Sequence, residues 1–256
     1  MTYKTWVGTL ACGIAFAFHT LPAAAATGNS AIEAAVATSN RSSAAQALDA
    51  ARKPAGVLTF LGLKPGMEAA DLMTGTGYWA EIMGLVVGSA GHVTAFQADR
   101  PPADPAVTKA WELLLQREKT LTLKFYPWAH FSAPADSLDF AIINNNYHDL
   151  YWESAKYQIP RTDPSEFTRA LYAAMRHGGV VGVIDHTALP GDPRATVEKL
   201  HRIDPERVEA DFQAAGFKLA GRSNLLANSK DDHTKFSGDP SILGKTDRFI
   251  LKFVKS

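Results

Sequence analysis

The chain of 256 residues holds one cysteine, Cys12, and no second one to pair with it. That excludes an internal disulfide and cysteine-rich metal or dithiol chemistry. It has no excess charge of either sign: 26 Lys and Arg stand against 26 Asp and Glu, a formal net charge of 0. Nothing there favours a nucleic-acid backbone or an anionic membrane as partner. Beyond residue 26 it has no apolar run long enough to span a bilayer. There is no H-E-x-x-H pattern and no compact ligand spacing, so no metal is expected. There is no G-x-S-x-G elbow, so serine chemistry is not expected. No internal repeat or low-complexity linker follows residue 26.

The one long apolar run is at the start. Lys4 gives a positive beginning, Trp6 to Leu21 is largely apolar, and Pro22 with Ala23 to Ala26 supplies an A-x-A pattern. These are the parts of a secretory signal, expected over residues 1–26 with cleavage after Ala26. A retained anchor is the alternative, but Gly8, Gly13, His19 and Pro22 interrupt it. A lipoprotein site at Cys12 would want Leu where Thr9 stands. The mature chain is then exported, periplasmic or secreted. It keeps 230 residues and a net charge of −1, since Lys4 leaves with the signal. That length suits one domain, residues 27–256, with a sizeable core.

Residues 29–53 are rich in Ala and read as one or two helices broken near Thr38 to Ser43. Pro54 opens or precedes a short helix that runs into the turn Lys64-Pro-Gly66. Together they form an N-terminal helical extension, about residues 27–63. The period then changes. Strands are predicted at 68–73, 92–97, 121–126, 138–143, 180–184, 217–226 and 246–254. Helices are predicted at 78–86, 106–118, 165–176 and 204–215, with Gly178-Gly179 stopping the third and Gly216 the fourth. Strands alternating with helices argue a doubly wound α/β sheet. No helix fits between Leu226 and Phe249, so the last two strands are predicted to form an antiparallel pair at one edge.

Ligand sites in such sheets lie at the carboxyl ends of the strands. Three polar segments fall there. The first is Asp71-Leu-Met-Thr-Gly-Thr-Gly-Tyr-Trp79, where Gly75 permits an unusual backbone angle and Gly77 permits close approach. Asp71 is placed to bond a ligand or to hold the loop. The second is Asn144-Asn-Asn-Tyr-His-Asp149, directly after an apolar strand. There His148 is a candidate general base, Asn144 a candidate substrate or cofactor contact, and Asp149 a candidate for orienting the base. The third is Asp185-His186, which should face the same crevice, Asp185 as a substrate or metal contact and His186 as a second proton-transfer group. Asp204, followed by Pro205 and Glu206, reads as a helix cap, while His201 stays open. Asp231-Asp-His-Thr234 lies on a long link, where a lid over the pocket is one expectation.

The order of elements and motifs resembles a class I S-adenosylmethionine-dependent methyltransferase. Asp71, Gly75 and Gly77 match that family's first motif, though Met73 stands where a further glycine is usual. Gln97 stands where an acid usually meets the ribose, and Asp99 lies two residues on. More narrowly, Arg52-Lys-Pro54, the glycine turn, residues 144–149, Asp185-His186, residues 231–234 and Gly244-Lys-Thr-Asp-Arg248 resemble a group of predicted exported bacterial methyltransferases. The resemblance implies a mostly parallel seven-stranded sheet with a C-terminal antiparallel hairpin, a Rossmann-like methyltransferase fold. It implies S-adenosylmethionine as cofactor, held by Asp71, Gly75, Gly77, Tyr78, Gln97 and Asn144. It implies methyl transfer to a small molecule near His148, Asp185, His186 and Asn144. Two alternatives stand beside it: a lyase or hydrolase on the same fold, with or without the assistance of a metal, and a noncatalytic ligand-binding envelope protein.

Overall fold

The computed structural model describes Met1, residues 28–99 and residues 104–256. The expected export signal, with Cys12 and the cleavage point after Ala26, lies outside the described residues. Among the described residues no helix is long and apolar enough to cross a membrane.

Seven strands form one sheet: β1 (Glu68–Leu72), β2 (His92–Asp99), β3 (Leu121–Pro127), β4 (Leu138–Asn144), β5 (Met175–His186), β6 (Phe217–Ser223) and β7 (Arg248–Lys255). Their order is β3-β2-β1-β4-β5-β7-β6. The first five are parallel. β7 inserts antiparallel between β5 and β6, closing the sheet with the expected hairpin. The order reverses between β1 and β4, and a crevice opens at the carboxyl ends of such a pair.

The inner strands are apolar on both faces because helices cover both. One face carries Ala69, Phe140, Ile142, Ile184 and Ile250. It packs under α1 (Gly28–Ala37), α4 (Pro54–Leu61), α5 (Tyr78–Val87) and α6 (Pro105–Arg117). The short helices α2 (Ser43–Gln46) and α3 (Asp49–Arg52) lead into α4, and Pro54 takes the first helical turn as expected. The other face carries Ile143, Val181, Val183 and Phe253 under α7 (Pro164–Ala174) and α9 (Pro205–Ala214). A further helix, α8 (Pro193–Leu200), joins β5 to α9 and was not anticipated.

Several boundaries differ from expectation: β5 runs over 175–186 and not 180–184, β6 stops at Ser223 and not Leu226, and β7 begins at Arg248 and not Thr246. α7 ends at Ala174, not Arg176, because β5 already begins at Met175. Gly178-Gly179 does not stop a helix. Gly178 takes φ +80 inside β5, where the pairing with β4 slips between Leu138 and Phe140. The glycines absorb a bulge.

Candidate functional site

Side chains alternate along a strand, so residues two apart share a face. Asp71 follows Ala69, Asn144 follows Ile142, His186 follows Ile184, and Arg248 precedes Ile250. All four therefore stand on the face covered by the N-terminal helices. Asp185 stands on the other face, while Asn145, one residue past β4 with φ 57, lies beyond the alternation.

The glycine turn is built by its own chain. Asp71 is buried, and its Oδ2 accepts from the Ala80 N–H at 3.0 Å and from the Thr74 hydroxyl. Asp71 thus ties the end of β1 to the first turn of α5. Burial pushes its carboxyl up to about 7, against the pull of the Thr74 and Ala80 hydrogen bonds and of the Arg52 charge. Met73, Gly75 and Gly77 all have positive φ, at 55, 59 and 83. Met73 thus adopts the conformation that a glycine would take more easily. A Cβ on Gly75 would meet nothing within 4 Å, so the turn faces open space there. A Cβ on Gly77 would lie 2.7 Å from Leu114 and 2.9 Å from Trp111, so Gly77 serves close helix packing.

Gln97 and Trp111 brace the same turn from β2 and α6. The Gly75 N–H donates to Gln97 Oε1 at 3.0 Å, and Trp111 Nε1 donates to the Gly75 carbonyl at 2.8 Å. Asn146 Nδ2 donates to the Met73 carbonyl at 2.8 Å, joining the β4 end to the β1 end. A cleft of about 450 Å³ runs beside the turn, lined by Gln97, Asp99, Val107, Trp111, Leu123 and Phe125 among others. Tyr78 does not line that cleft and turns toward α3 instead. Its hydroxyl donates to Asp49 Oδ1 at 2.7 Å, and burial together with Asp49 raises its pKa. The Trp79 ring is core, edge-on to Tyr78.

At the β4 end, Asn144 Oδ1 and Asn145 Oδ1 are buried without a hydrogen-bond partner among the described residues. Buried acceptors left so cost about 1–3 kcal/mol each, which a ligand donor would restore. Residues 147–151 are not an open polar loop. They form a 3₁₀ turn with all five residues buried. Tyr147 turns into the core, where it and Tyr151 both donate to Asp211 Oδ2.

His148 turns the other way. Its Nδ1 lies 2.8 Å from Asp185 Oδ1, and its backbone N–H donates to Asp185 Oδ2 at 2.9 Å. Asp185 is fully buried and also accepts from the His186 N–H at 2.8 Å. Burial alone would raise its pKa, but the His148 charge and hydrogen bonds hold it below the usual carboxylate range. An ionised carboxylate only accepts, so His148 Nδ1 carries the shared proton. Asp149 Oδ1 stands 3.4 Å from Nε2. His186 Nδ1 is paired with Thr246 Oγ1 at 2.7 Å, and burial depresses its pKa to about 4. Its ring centre lies 6.1 Å from that of His148.

His201 completes the wall. Its ring centre is 5.6 Å from that of His148, 4.7 Å from that of Trp152 and 5.2 Å from that of Phe236. Its place was unforeseen because α8, which presents it, was unforeseen. Asp204 caps α9 as expected, accepting from the Glu206 N–H at 2.9 Å. Three histidines gather here, yet among the described residues no group of His, Cys, Asp or Glu is arranged to hold a metal ion.

The long link between β6 and β7 is pinned down, not a free lid. Arg202 and Asp231 form a bidentate pair at 2.8 and 3.1 Å, both buried. Arg202 also donates to the carbonyls of Lys235 and Thr187. His233 Nε2 stands 3.0 Å from Asp247 Oδ2. The link supplies Phe236 and Thr246 to the histidine wall from a fixed position.

Comparison with solved structures gives one consistent fold. A SAM-dependent methyltransferase from Aquifex aeolicus is 17% identical, with a TM-score of 0.55, over 78% of this chain and 88% of that one. An S-adenosylmethionine-dependent methyltransferase from Mesorhizobium loti is 14% identical, with a TM-score of 0.55, over 81% and 99%. The [4+2]-cyclase SpnF is 16% identical, with a TM-score of 0.56, over 80% of each chain. No family model matches the sequence, and no curated protein does. The fold is the Rossmann-like one of class I S-adenosylmethionine-dependent methyltransferases.

Proposed function

We propose that the chain transfers a methyl group from S-adenosylmethionine to a small molecule whose accepting atom carries a proton. The observation that carries this reading is the Asp185–His148 pair at the carboxyl ends of β4 and β5, beside a glycine turn that faces open space.

The residues present fit the cofactor. Asn144 Oδ1 and Asn145 Oδ1 are unpaired acceptors for an ammonium group, Gly75 leaves room for a ligand, and the cleft beside Gln97 and Asp99 suits a nucleoside. Asp71 and Gln97 act by holding the turn that meets it. When bound, the sulfonium supplies a methyl group that is already activated. The chain then has two tasks. It aligns the acceptor, and His148 Nε2 takes the acceptor's proton while Asp185 fixes the ring. Asp149 at 3.4 Å stabilises the imidazolium so formed. His186, held neutral by burial, lines the same space as a polar contact.

The test is transfer of a labelled methyl group from S-adenosylmethionine to hydroxyl-bearing acceptors. Activity that survives unchanged in His148→Gln contradicts the assignment of the base.

A second reading, a lyase or hydrolase on this fold, has one observation in its favour. The His148–Asp185 pair has the geometry of a positioned base, and a base of that kind needs no methyl donor to accept a proton. Absence of donor binding in a chain that still needs His148 would select it.

We also propose that the chain is exported with loss of residues 1–26, as in the narrower bacterial group that its motifs resemble. Cell fractionation with N-terminal sequencing tests this. The expected product begins at Thr27, and a cytoplasmic chain beginning at Met1 contradicts it.

A further inference from the structure

Charged side chains are seldom buried without a partner, because desolvation costs several kcal/mol. Most ion pairs here obey that rule. Arg41 is matched by Asp49 in a bidentate pair at 2.8 Å, and Arg202 by Asp231. Arg248 does not. It is 7% exposed and forms no salt bridge among the described residues. Its only side-chain hydrogen bond there goes from Nη2 to the Ala51 carbonyl at 2.6 Å, and its Nε is buried without a partner.

The carbonyl it reaches belongs to the residue before Arg52. The Arg52 guanidinium lies 4.3 Å from the centre of the Tyr78 ring and makes no hydrogen bond or ion pair among the described residues. Stacking on an aromatic face holds the group in place while leaving its donors uncommitted. The acids nearby act on the two only through space: Asp71 and Asp49 pull Arg52 up and Asp247 pulls Arg248 up, but among the described residues none is in salt-bridge contact with either. Asp49 is taken by Arg41 and Tyr78, Asp71 by Thr74 and Ala80, and Asp247 by His233. Each arginine also has its pKa lowered, chiefly by burial, and the charge of Arg52 adds to the lowering at Arg248.

Two like charges are thus held together beside the crevice face that carries Asp71, Asn144 and His186. We infer that Arg52 and Arg248 form a binding site for an oxyanion, a carboxylate or phosphate group on a ligand of this crevice. Planar guanidinium forks match either group and bind it with charge-assisted hydrogen bonds. Two sources supply such a group: the amino-acid end of the methyl donor, or the acceptor itself. The site stands on its own geometry, and only the choice between sources rests on the methyltransferase reading.

The test is calorimetric titration of the full chain, Arg52→Gln and Arg248→Gln, each first checked by its thermal midpoint. The probes are S-adenosylhomocysteine, 5′-methylthioadenosine (which lacks the carboxylate), succinate and inorganic phosphate. The Arg52 guanidinium donates no hydrogen bond among the described residues, and the backbone N–H, which donates to the Leu48 carbonyl, is untouched by substitution, so Arg52→Gln is expected to keep the fold even where Arg248→Gln does not. At least one oxyanion-bearing probe is expected to bind, and Arg52→Gln to weaken it about tenfold, the loss of one charge-assisted contact. Weakening of S-adenosylhomocysteine but not 5′-methylthioadenosine assigns the site to the donor's carboxylate. Weakening of succinate or phosphate alone assigns it to the acceptor. Equal affinity of wild type and Arg52→Gln for every oxyanion-bearing probe, or no binding of any of them, overturns the site. Failure of 5′-methylthioadenosine to bind wild type counts against the nucleoside pocket and leaves the oxyanion result standing.

Discussion

His148 and Asp185 meet through two hydrogen bonds, one from the ring Nδ1 at 2.8 Å and one from the backbone N–H at 2.9 Å. The carboxylate therefore fixes both the position of the residue and the tautomer of its ring. Nε2, with Asp149 Oδ1 at 3.4 Å, is then the nitrogen that the proposed reaction protonates.

Asp185→Asn keeps the size of the side chain and removes its charge. A fall in kcat of about 10²–10⁴ is expected, the usual worth of a positioned acid or base. KM for the methyl donor should hold steady, and the pH profile of kcat should change shape. A fall in stability with unchanged kcat in the folded fraction would make the pair merely structural.

Asp71 and His186 pull the pH dependence of stability in opposite directions. Asp71 has a folded pKa of about 7, above its unfolded value. Its contribution is full below the unfolded value and is lost as pH rises toward 7. His186 has a folded pKa of about 4, below its unfolded value. Its contribution is present above the unfolded value and is lost as pH falls toward 4. Each slope is at most about 1.4 kcal/mol per pH unit. Between about pH 4 and 6.5 they oppose each other. Urea unfolding of His186→Gln should therefore show stability falling as pH rises from 4 to 7, and Asp71→Asn should show it rising from 4 to 6.5. Parallel curves for both variants and wild type would contradict these shifts.

The two glycines of the turn should separate binding from packing. Gly75→Ala places its Cβ in open space, so its cost is the positive φ, about 1 kcal/mol, with a marked loss of cofactor affinity. Gly77→Ala drives its Cβ into Leu114 and Trp111 and carries a positive φ too, so about 2–4 kcal/mol of stability is lost. Thermal midpoints and cofactor titrations of the two proteins decide this. Equal loss of stability in both would contradict it.

Asp231→Ala would leave Arg202 buried without its partner. A loss of about 3–5 kcal/mol is expected from chemical denaturation. A cost under about 1 kcal/mol, the range of an exposed pair, would mean that the link is not pinned as described.

The sheet was legible because its strands are short apolar runs such as Leu138 to Ile143, and the hairpin because no helical pattern fits between Leu226 and Phe249. The glycine turn was legible because its residue types are required by its angles. α8 was hidden because it is eight residues long and buries only Val197. Its signal was present all the same. Asp192-Pro193 opens it as Asp204-Pro205 opens α9, and Asp104-Pro105 and Asp163-Pro164 open α6 and α7. In all four the Asp side chain accepts a backbone N–H. His148 and Asp185 were each legible as strand-end polar residues. Their pairing was not, because it spans 37 positions and depends on the register of β4 against β5. Arg202 and Asp231 were hidden for the same reason: the partners lie 29 positions apart and meet only once the link folds back.

S-adenosylmethionine is the proposed occupant of this crevice. Calorimetric titration of the purified chain with S-adenosylmethionine and with S-adenosylhomocysteine tests this most directly. Saturable binding of both is expected, at about micromolar to submillimolar Kd, weakened by Gly75→Ala and unaffected by His148→Gln. No heat of binding for either at about millimolar concentration would contradict it.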